Sequence, residues 1–237
     1  MKLLLISNST NAGESYLNWP IGVISEFLQH CSNIVFIPYA GVTVTYNDYE
    51  EKVTQKFIQA GIAPVQSVHH FSHPEDAVAN ADAIVVGGGN TFRLLEQVYT
   101  NGLFQIIRNK VLQGTPYVGW SAGSNLACPG IYTTNDMPVV EPKSLKAFNL
   151  IPFQINPHYL DANPAGHAGE TREQRIEEFV ALHKNTYVAG LRESCYLEFK
   201  NQKLIHQGAN SLRLFKYGLP AVEINAGTDI SYLMEQA

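Results

Sequence analysis

The sequence has little charge, and none of it is concentrated. Charged residues make up 16% of the 237, the net charge is −5, and there is no run of Lys or Arg. A chain without a basic stripe is a poor partner for nucleic acid or for an anionic membrane surface. Cysteine is scarce as well. Cys31, Cys128 and Cys195 are odd in number, widely spaced and without a C-x-x-C, which argues against a disulfide framework or a thiolate zinc site. Long apolar runs are missing too. Met1-Lys2-Leu3-Leu4-Leu5-Ile6 turns polar at once with Ser7-Asn8-Ser9-Thr10, too short a run for a signal peptide or a membrane span. The expected location is therefore a reducing cytoplasm, and the sequon at Asn8-Ser9-Thr10 reads as coincidence. No repeat, low-complexity tract or linker interrupts the chain. What it does have is 45% apolar residues, enough for a sizeable core in one α/β domain over residues 1–237.

The apolar segments come in a regular order. Leu3–Ser7, Asn33–Pro38 and Asp82–Val86 read as strands, Pro64–Phe71 as a weaker one, and Pro116–Trp120 as a fifth. Helical patterns lie between them: Pro20–Gln29, Asp48–Gln59 with Val53, Phe57 and Ile58 facing in, Pro74–Ala79, Thr91–Tyr99 and Leu103–Leu112. Strand–helix alternation of this kind predicts a doubly wound, mostly parallel sheet in a three-layer, flavodoxin-like sandwich. In such sheets the working loops gather at the carboxyl ends of the strands. Ser7–Thr10, Pro38–Thr43, Gly87–Asn90 and Ser121 are thus expected along one edge. After Cys128 the texture changes. A strand Phe153–His158, a helix from Thr171 to about His183 and a strand Tyr187–Leu191 follow. Four short stretches that look antiparallel close the chain: Tyr196–Phe199, Lys203–His206, Leu212–Phe215 and Ala221–Ile224.

Chemistry concentrates at Gly119-Trp120-Ser121-Ala122-Gly123, a G-x-S-x-G between a buried strand and a helix of small residues. A sharp strand-to-helix turn with Ser at its apex is a nucleophile elbow. The blander alternative is a Gly-rich turn whose Ser only caps the helix. A nucleophilic Ser needs a base and a group that orients the base. Of eight histidines, His30 and His183 sit near helix ends and His206 within a hairpin strand. His69, His70 and His73 cluster after the third strand, and His167 lies in loop-rich sequence. His158, directly after a short strand, is the best placed. The orienting acid has two candidates. Asp136 lies between nucleophile and base in the chain, and Glu193 stands at the end of a strand, which favours it. Gly87-Gly88-Gly89-Asn90 follows a buried strand and precedes a helix, so backbone N–H groups of Gly88 and Gly89, with that of Ala122, can converge on an oxyanion. Arg172 and Arg175 open a helix, where cations oppose the dipole. Binding an anion is one reason to tolerate that, and pairing with Glu170, Glu173 or Glu177 is another.

Taken together, Leu5-Ile6-Ser7-Asn8-Ser9-Thr10, Phe36-Ile37-Pro38-Tyr39-Ala40-Gly41-Val42-Thr43, Val86-Gly87-Gly88-Gly89-Asn90-Thr91-Phe92, the elbow, Thr134-Asn135-Asp136-Met137-Pro138, Gln154-Ile155-Asn156-Pro157-His158 and Gly169-Glu170-Thr171-Arg172-Glu173-Gln174-Arg175 resemble the peptidase E family of aspartyl dipeptidases. The resemblance spans residues 5 to about 193. It implies a fold like the class I glutamine amidotransferases with Ser in place of their Cys, and hydrolysis of dipeptides that begin with aspartate. It implies Ser121 as nucleophile, His158 as base, and Arg172 as the cation for the substrate carboxylate. Glu193 and Asp136 both fall in matching blocks, so the third member stays open, with Glu193 favoured. A departure stands at Arg192-Glu193-Ser194, where the family has Pro and Gly beside the Glu. The implied mechanism needs no metal or cofactor, and the sequence offers no metal-ligand cluster. The expected partner is a small Asp-Xaa peptide, and a homodimer is left open. Two rival readings remain: an α/β-hydrolase esterase using Ser121, Asp136 and His158, and a non-catalytic flavodoxin-like anion-binding module.

Overall fold

The apolar run at the start of the chain forms the strand at the centre of the molecule. In the computed structural model, which describes residues 1–163, 166 and 168–235, strand β1 (Lys2–Ile6) is buried on both faces. Leu3 and Leu5 enter one apolar cluster, Leu4 and Ile6 another. Strands β2 (Ile34–Ile37), β4 (Ala83–Val86) and β5 (Pro116–Trp120) divide their side chains the same way. A strand that is apolar at successive positions is what a sheet covered on both sides requires. With β3 (Val65–Ser67) they give the parallel order β3-β2-β4-β5-β1. The antiparallel pair β8 (Cys195–Lys200) and β9 (Lys203–Gly208) extends the sheet beyond β1.

Helices α1 (Ile21–Leu28) and α2 (Tyr46–Gln59) cover one face through Ile24, Leu28, Tyr49, Val53 and Phe57. Helices α3 (Pro74–Ala79), α4 (Thr91–Thr100), α5 (Leu103–Leu112) and α6 (Ala122–Ala127) cover the other. The result is the expected doubly wound α/β sandwich. Two local expectations change. The third strand stops at Ser67, and a 3-10 turn over Val68–His70 replaces its second half. Ile58 is 57% exposed, because the inward line of α2 runs Tyr49, Val53, Phe57 at four-residue steps and Ile58 is rotated about 100° from it.

A second sheet, unforeseen in the sequence, holds the rest. Its order is β11-β10-β7-β6, with β6 (Gln154–Pro157) and β7 (Val188–Leu191) parallel and β10 (Leu212–Phe215) and β11 (Val222–Ile224) antiparallel. Helix α7 (Arg172–Leu182) joins β6 to β7 and packs Ile176 and Val180 against Tyr159, Val188 and Phe215. Ile155, Ala189, Leu191 and Leu212 of this sheet share one apolar cluster with Leu3 and Leu5 of the first. Among the described residues no helix is long and apolar enough to cross a membrane.

Candidate active site

Ser121 stands at the turn from β5 to α6 with φ 52° and ψ −111°, a conformation costly for any residue with a Cβ. Hydrogen bonds hold it there. Its N–H donates to the Ile6 carbonyl at 3.0 Å, and its carbonyl accepts from Ser124 and Asn125 at 2.9 and 3.1 Å. The Ser124 hydroxyl bonds the same Ile6 carbonyl at 2.8 Å. The helix then crosses β4 so closely that a Cβ on Gly123 would lie 2.3 Å from the Val86 carbonyl oxygen. Only glycine permits that approach.

His158 follows β6 directly, also at positive φ, 52°. Its N–H donates to the Ser7 hydroxyl at 2.9 Å, and that buried hydroxyl donates to the Leu191 carbonyl at 2.8 Å. Ser7, at the end of β1, thus stitches the first sheet to the ends of β6 and β7. The ring of His158 has its Nε2 3.1 Å from the Ser121 hydroxyl and its Nδ1 2.8 Å from Glu193 Oε1. With a carboxylate accepting at Nδ1, that nitrogen carries the proton and Nε2 is free to accept one from Ser121. Glu193 leaves β7 and is followed by Ser194 at φ 63°. A residue with a Cβ is strained at that angle, where glycine is not. Ser194 is held instead by Asn8 and Asn11, its N–H and hydroxyl each 2.9 Å from their side-chain oxygens.

Asp136 does not orient His158. Its Oδ2 accepts from the Thr91 N–H at 2.8 Å, the Thr91 hydroxyl at 2.5 Å and the Thr134 hydroxyl at 3.1 Å. It is spent on the first turn of α4, where a carboxylate is favoured by free N–H groups and the dipole. The chain order that suggested Asp136 carries no distance information.

Among the described residues, the N–H groups of Gly88, Gly89 and Ala122 have no acceptor within the protein. Gly89 adopts φ 135°, and a Cβ there would fall 2.3 Å from the Ala40 carbonyl oxygen. The Gly88 carbonyl accepts from the Tyr49 hydroxyl at 2.9 Å, and Trp120 Nε1 donates to that hydroxyl at 3.2 Å. Since a trans peptide points its C=O and N–H to opposite sides, tying the Gly88 carbonyl to Tyr49 aims the Gly89 N–H the other way. Burial raises the Tyr49 phenol pKa, against its own hydrogen bonds, and keeps it a donor. Sequence reasoning missed Tyr49. Its place four residues before Val53 on the inward line of α2 was the available signal.

Ser121, His158, Gly88, Gly89 and Asp136 line one cleft of about 640 Å³. Asp136 also lines a neighbouring cleft of about 450 Å³ that contains Arg172, Arg175 and Asn156. Thr171 caps α7 in a reciprocal box with Gln174, so Arg172 enters at the first turn. Arg175 lies 3.7 Å from Glu170, whereas Arg172 has no hydrogen bond or ion pair among the described residues. Burial first, then the charge of Arg175, lowers the Arg172 guanidinium pKa, and Asp136 opposes them. Asn156 Oδ1, buried in the same region, also has no donor. An unpaired cation and an unpaired acceptor in one cleft suit a ligand with both signs of charge.

Of the other histidines, His167 lies outside the described residues, His183 ends α7 stacked on Phe179 and His73 lies 3.7 Å from Glu75. His206 is buried in β9 with Nε2 3.0 Å from the Asn210 carbonyl. The fold brings together one group of side chains that the sequence did not suggest. Glu50, His69 and His70 hold one ligand atom each within 4.8 Å of one another. The Glu comes from α2 and the histidines from the turn after β3, a grouping that sequence spacing hides.

A sheet wound on both faces, with a strained Ser at the strand-to-helix turn and a His–Glu pair in line with it, belongs to the class of α/β hydrolytic enzymes. Comparison with known proteins narrows that class. The pattern of peptidase family S51 matches residues 3–207. Peptidase E of Nostoc sp. is 46% identical over 237 residues, covering 100% of this chain and 98% of the relative. Peptidase E of Shigella flexneri is 45% identical over 227 residues, covering 96% and 99%. The chain belongs to peptidase family S51 and is a peptidase. Two solved structures share the fold. A peptidase from an acI-B1 Actinobacterium has a TM-score of 0.72 at 17% identity, over 97% of this chain and 96% of that one. A putative peptidase E protein from Listeria monocytogenes has 0.64 at 23%, over 88% and 98%.

Proposed function

We propose that this peptidase is a serine dipeptidase that releases the N-terminal aspartate of Asp-Xaa dipeptides through an acyl-enzyme. The observation that carries the proposal is the hydrogen-bonded line Ser121–His158–Glu193, adjoining a cleft with an unpaired guanidinium. Ser121 Oγ attacks the scissile carbonyl as His158 Nε2 takes its proton. Glu193 holds the ring and stabilises the imidazolium. The oxyanion is received by N–H groups of Gly88, Gly89 and Ala122. His158 then protonates the leaving amine, and water, deprotonated by the same nitrogen, releases aspartate. Arg172 takes the aspartyl side chain, to which its planar fork is suited. Asn156 Oδ1 accepts from the α-ammonium.

The partner is accordingly a small zwitterionic peptide rather than nucleic acid or membrane, and the working compartment is a reducing one such as the cytoplasm. The esterase reading needs Asp136 on His158, and that carboxylate is occupied at Thr91. A flavodoxin-like binding module gives no reason for a strained Ser aligned with a His–Glu pair. Rates on Asp-Leu, Glu-Leu, Asn-Leu and N-acetyl-Asp-Leu test the proposal. Asp-Leu is expected to be hydrolysed fastest, with Ser121 labelled by a serine-reactive phosphonate. Equal rates on Asn-Leu and Asp-Leu overturn the aspartyl preference, and an unlabelled Ser121 overturns the covalent route.

A further inference from the structure

A dipeptidase must sense that its substrate ends one residue past the scissile bond, and the main cleft holds a second cation that the mechanism above leaves unused. Lys52 lines it together with Ser121, His158, Gly88 and Gly89. It belongs to α2 three residues after Tyr49, so the two side chains share a helix face. Tyr49 is the residue whose hydroxyl bonds the Gly88 carbonyl at 2.9 Å. The Lys52 ammonium lies 4.2 Å from the centre of the Tyr16 ring, and Tyr16 donates to the Tyr49 hydroxyl at 3.3 Å. Lys52 is therefore held over an aromatic ring that is itself tied through Tyr49 to the Gly88 carbonyl. Among the described residues no carboxylate lies within ion-pair distance of it. Part of the cleft wall is apolar: Val42 and Val139, 57% and 54% exposed, also line it.

We infer that Lys52 and this wall form the subsite for the leaving residue, the ammonium binding its free α-carboxylate and the valines its apolar side chain. The inference rests on the proposed aspartyl dipeptidase reaction. Successive Cα atoms are about 3.8 Å apart, so the terminal carboxylate of a dipeptide stays within the cleft that holds the scissile carbonyl. In a longer peptide an uncharged amide occupies that position. Two cations then divide the substrate, Arg172 reading the aspartyl side chain and Lys52 the opposite end. Exclusion of longer peptides follows from the charge they lack there as well as from their size.

The test compares Asp-Leu with its C-terminal amide, which differs only in that charge. In the wild type, Asp-Leu is expected to be preferred. In Lys52→Met the preference, read as the ratio of kcat/KM values, is expected to fall roughly tenfold, mostly through KM for Asp-Leu. Lys52→Arg is expected to retain most of it. Equal loss on both substrates, or no loss on Asp-Leu, overturns the subsite while the dipeptidase reading stands. Failure of the wild-type protein to hydrolyse either substrate overturns the dipeptidase reading itself and the subsite with it.

Discussion

The two halves of the site are built by opposite means. The elbow half comes from the ends of two strands paired in one sheet: Ser121 and Ala122 follow β5, and Gly88 and Gly89 follow β4 beside it. Its geometry is fixed by backbone hydrogen bonds and by contacts too close for a Cβ. The acid–base half is assembled across the chain. His158 is oriented through Ser7 and Glu193, respectively 151 and 35 residues away. Both His158 and Glu193 are about half exposed, at 40% and 46%, where the elbow strand is buried. A rigidly held Ser121, the proposed nucleophile, thus faces a His158 held by long-range side-chain bonds, and damage to the two halves should look different.

The largest effect is expected at the rigid half. Ser121→Ala should lower kcat on the order of 10⁴-fold or more with little change in melting temperature, because one hydroxyl is lost and the backbone is unchanged. Ser121→Gly should be equally inactive yet more stable by about 1 kcal/mol, since glycine relieves the strain at φ 52°. Thermal melts of the two variants check this. A Gly variant no more stable than the Ala variant would mean that the elbow stores no strain.

Next comes the orienting acid. Glu193→Gln should lower kcat roughly a thousandfold, by leaving His158 in the wrong tautomer. Asp136→Asn should lose less than about tenfold, because Asn keeps an oxygen for the Thr91 groups that now bond Asp136. Steady-state kinetics on Asp-Leu decides it, and the reverse ranking hands the role to Asp136.

The same contrast explains what could be read in advance. Val85 and Val86 before Gly87, and Tyr117 to Trp120 before Ser121, announce their strands by apolar runs, and the elbow by local spacing. The parallel sheet and the strained turn at Ser121 were therefore legible. The second sheet was not, because Gln154–Pro157 and Leu212–Phe215 are short strands whose partners are chosen by packing against Leu3 and Leu5. Glu193 was favoured over Asp136 by its place at a strand end but not decided, and the distances separate them: Glu193 bonds His158 while Asp136 bonds Thr91. The tie of Tyr49 to the Gly88 carbonyl joins residues 39 apart, which no window along the sequence contains.

Arg172 belongs to the assembled half and should give a smaller, substrate-dependent loss. Removing a desolvated charged partner costs about 2–5 kcal/mol. Arg172→Met should thus reduce kcat/KM for Asp-Leu by roughly thirtyfold to several thousandfold. Asn-Leu, which never used the ion pair, should lose much less. Arg172→Lys should recover part of the loss, since a point charge cannot reproduce two parallel bonds. Equal losses on Asp-Leu and Asn-Leu would make Arg172 structural and turn attention to Arg175.

The smallest effect concerns the frame around Glu193. The preceding Arg192 is clamped by Asp161 and by Glu223, whose Oε2 lies 2.8 Å from its NH1. Chiefly through Arg192, then through Ser211 and Arg213 against the cost of burial, the Glu223 carboxyl is held down at about 2 from its ordinary 4.5. A depressed carboxyl contributes stability that is full above its unfolded pKa and disappears as pH falls through the folded one. The window is therefore from about 4.5 down to about 2. Glu223 is 41% exposed, so solvent screening limits its contribution to about 1 kcal/mol. Near neutral pH, Glu223→Gln should melt about 2–4 °C below the wild type. The gap should close as both proteins are acidified through that window, because the wild-type carboxylate is then neutral too. Asp161, also lowered chiefly by its hydrogen bond to Arg192, should steepen the acid limb of both curves alike. Melting curves that stay parallel down to the lowest pH would remove Glu223 from the clamp. The frame around Glu193 would then rest on Asp161, Asn210 and the bonds from Ser7, Asn8 and Asn11.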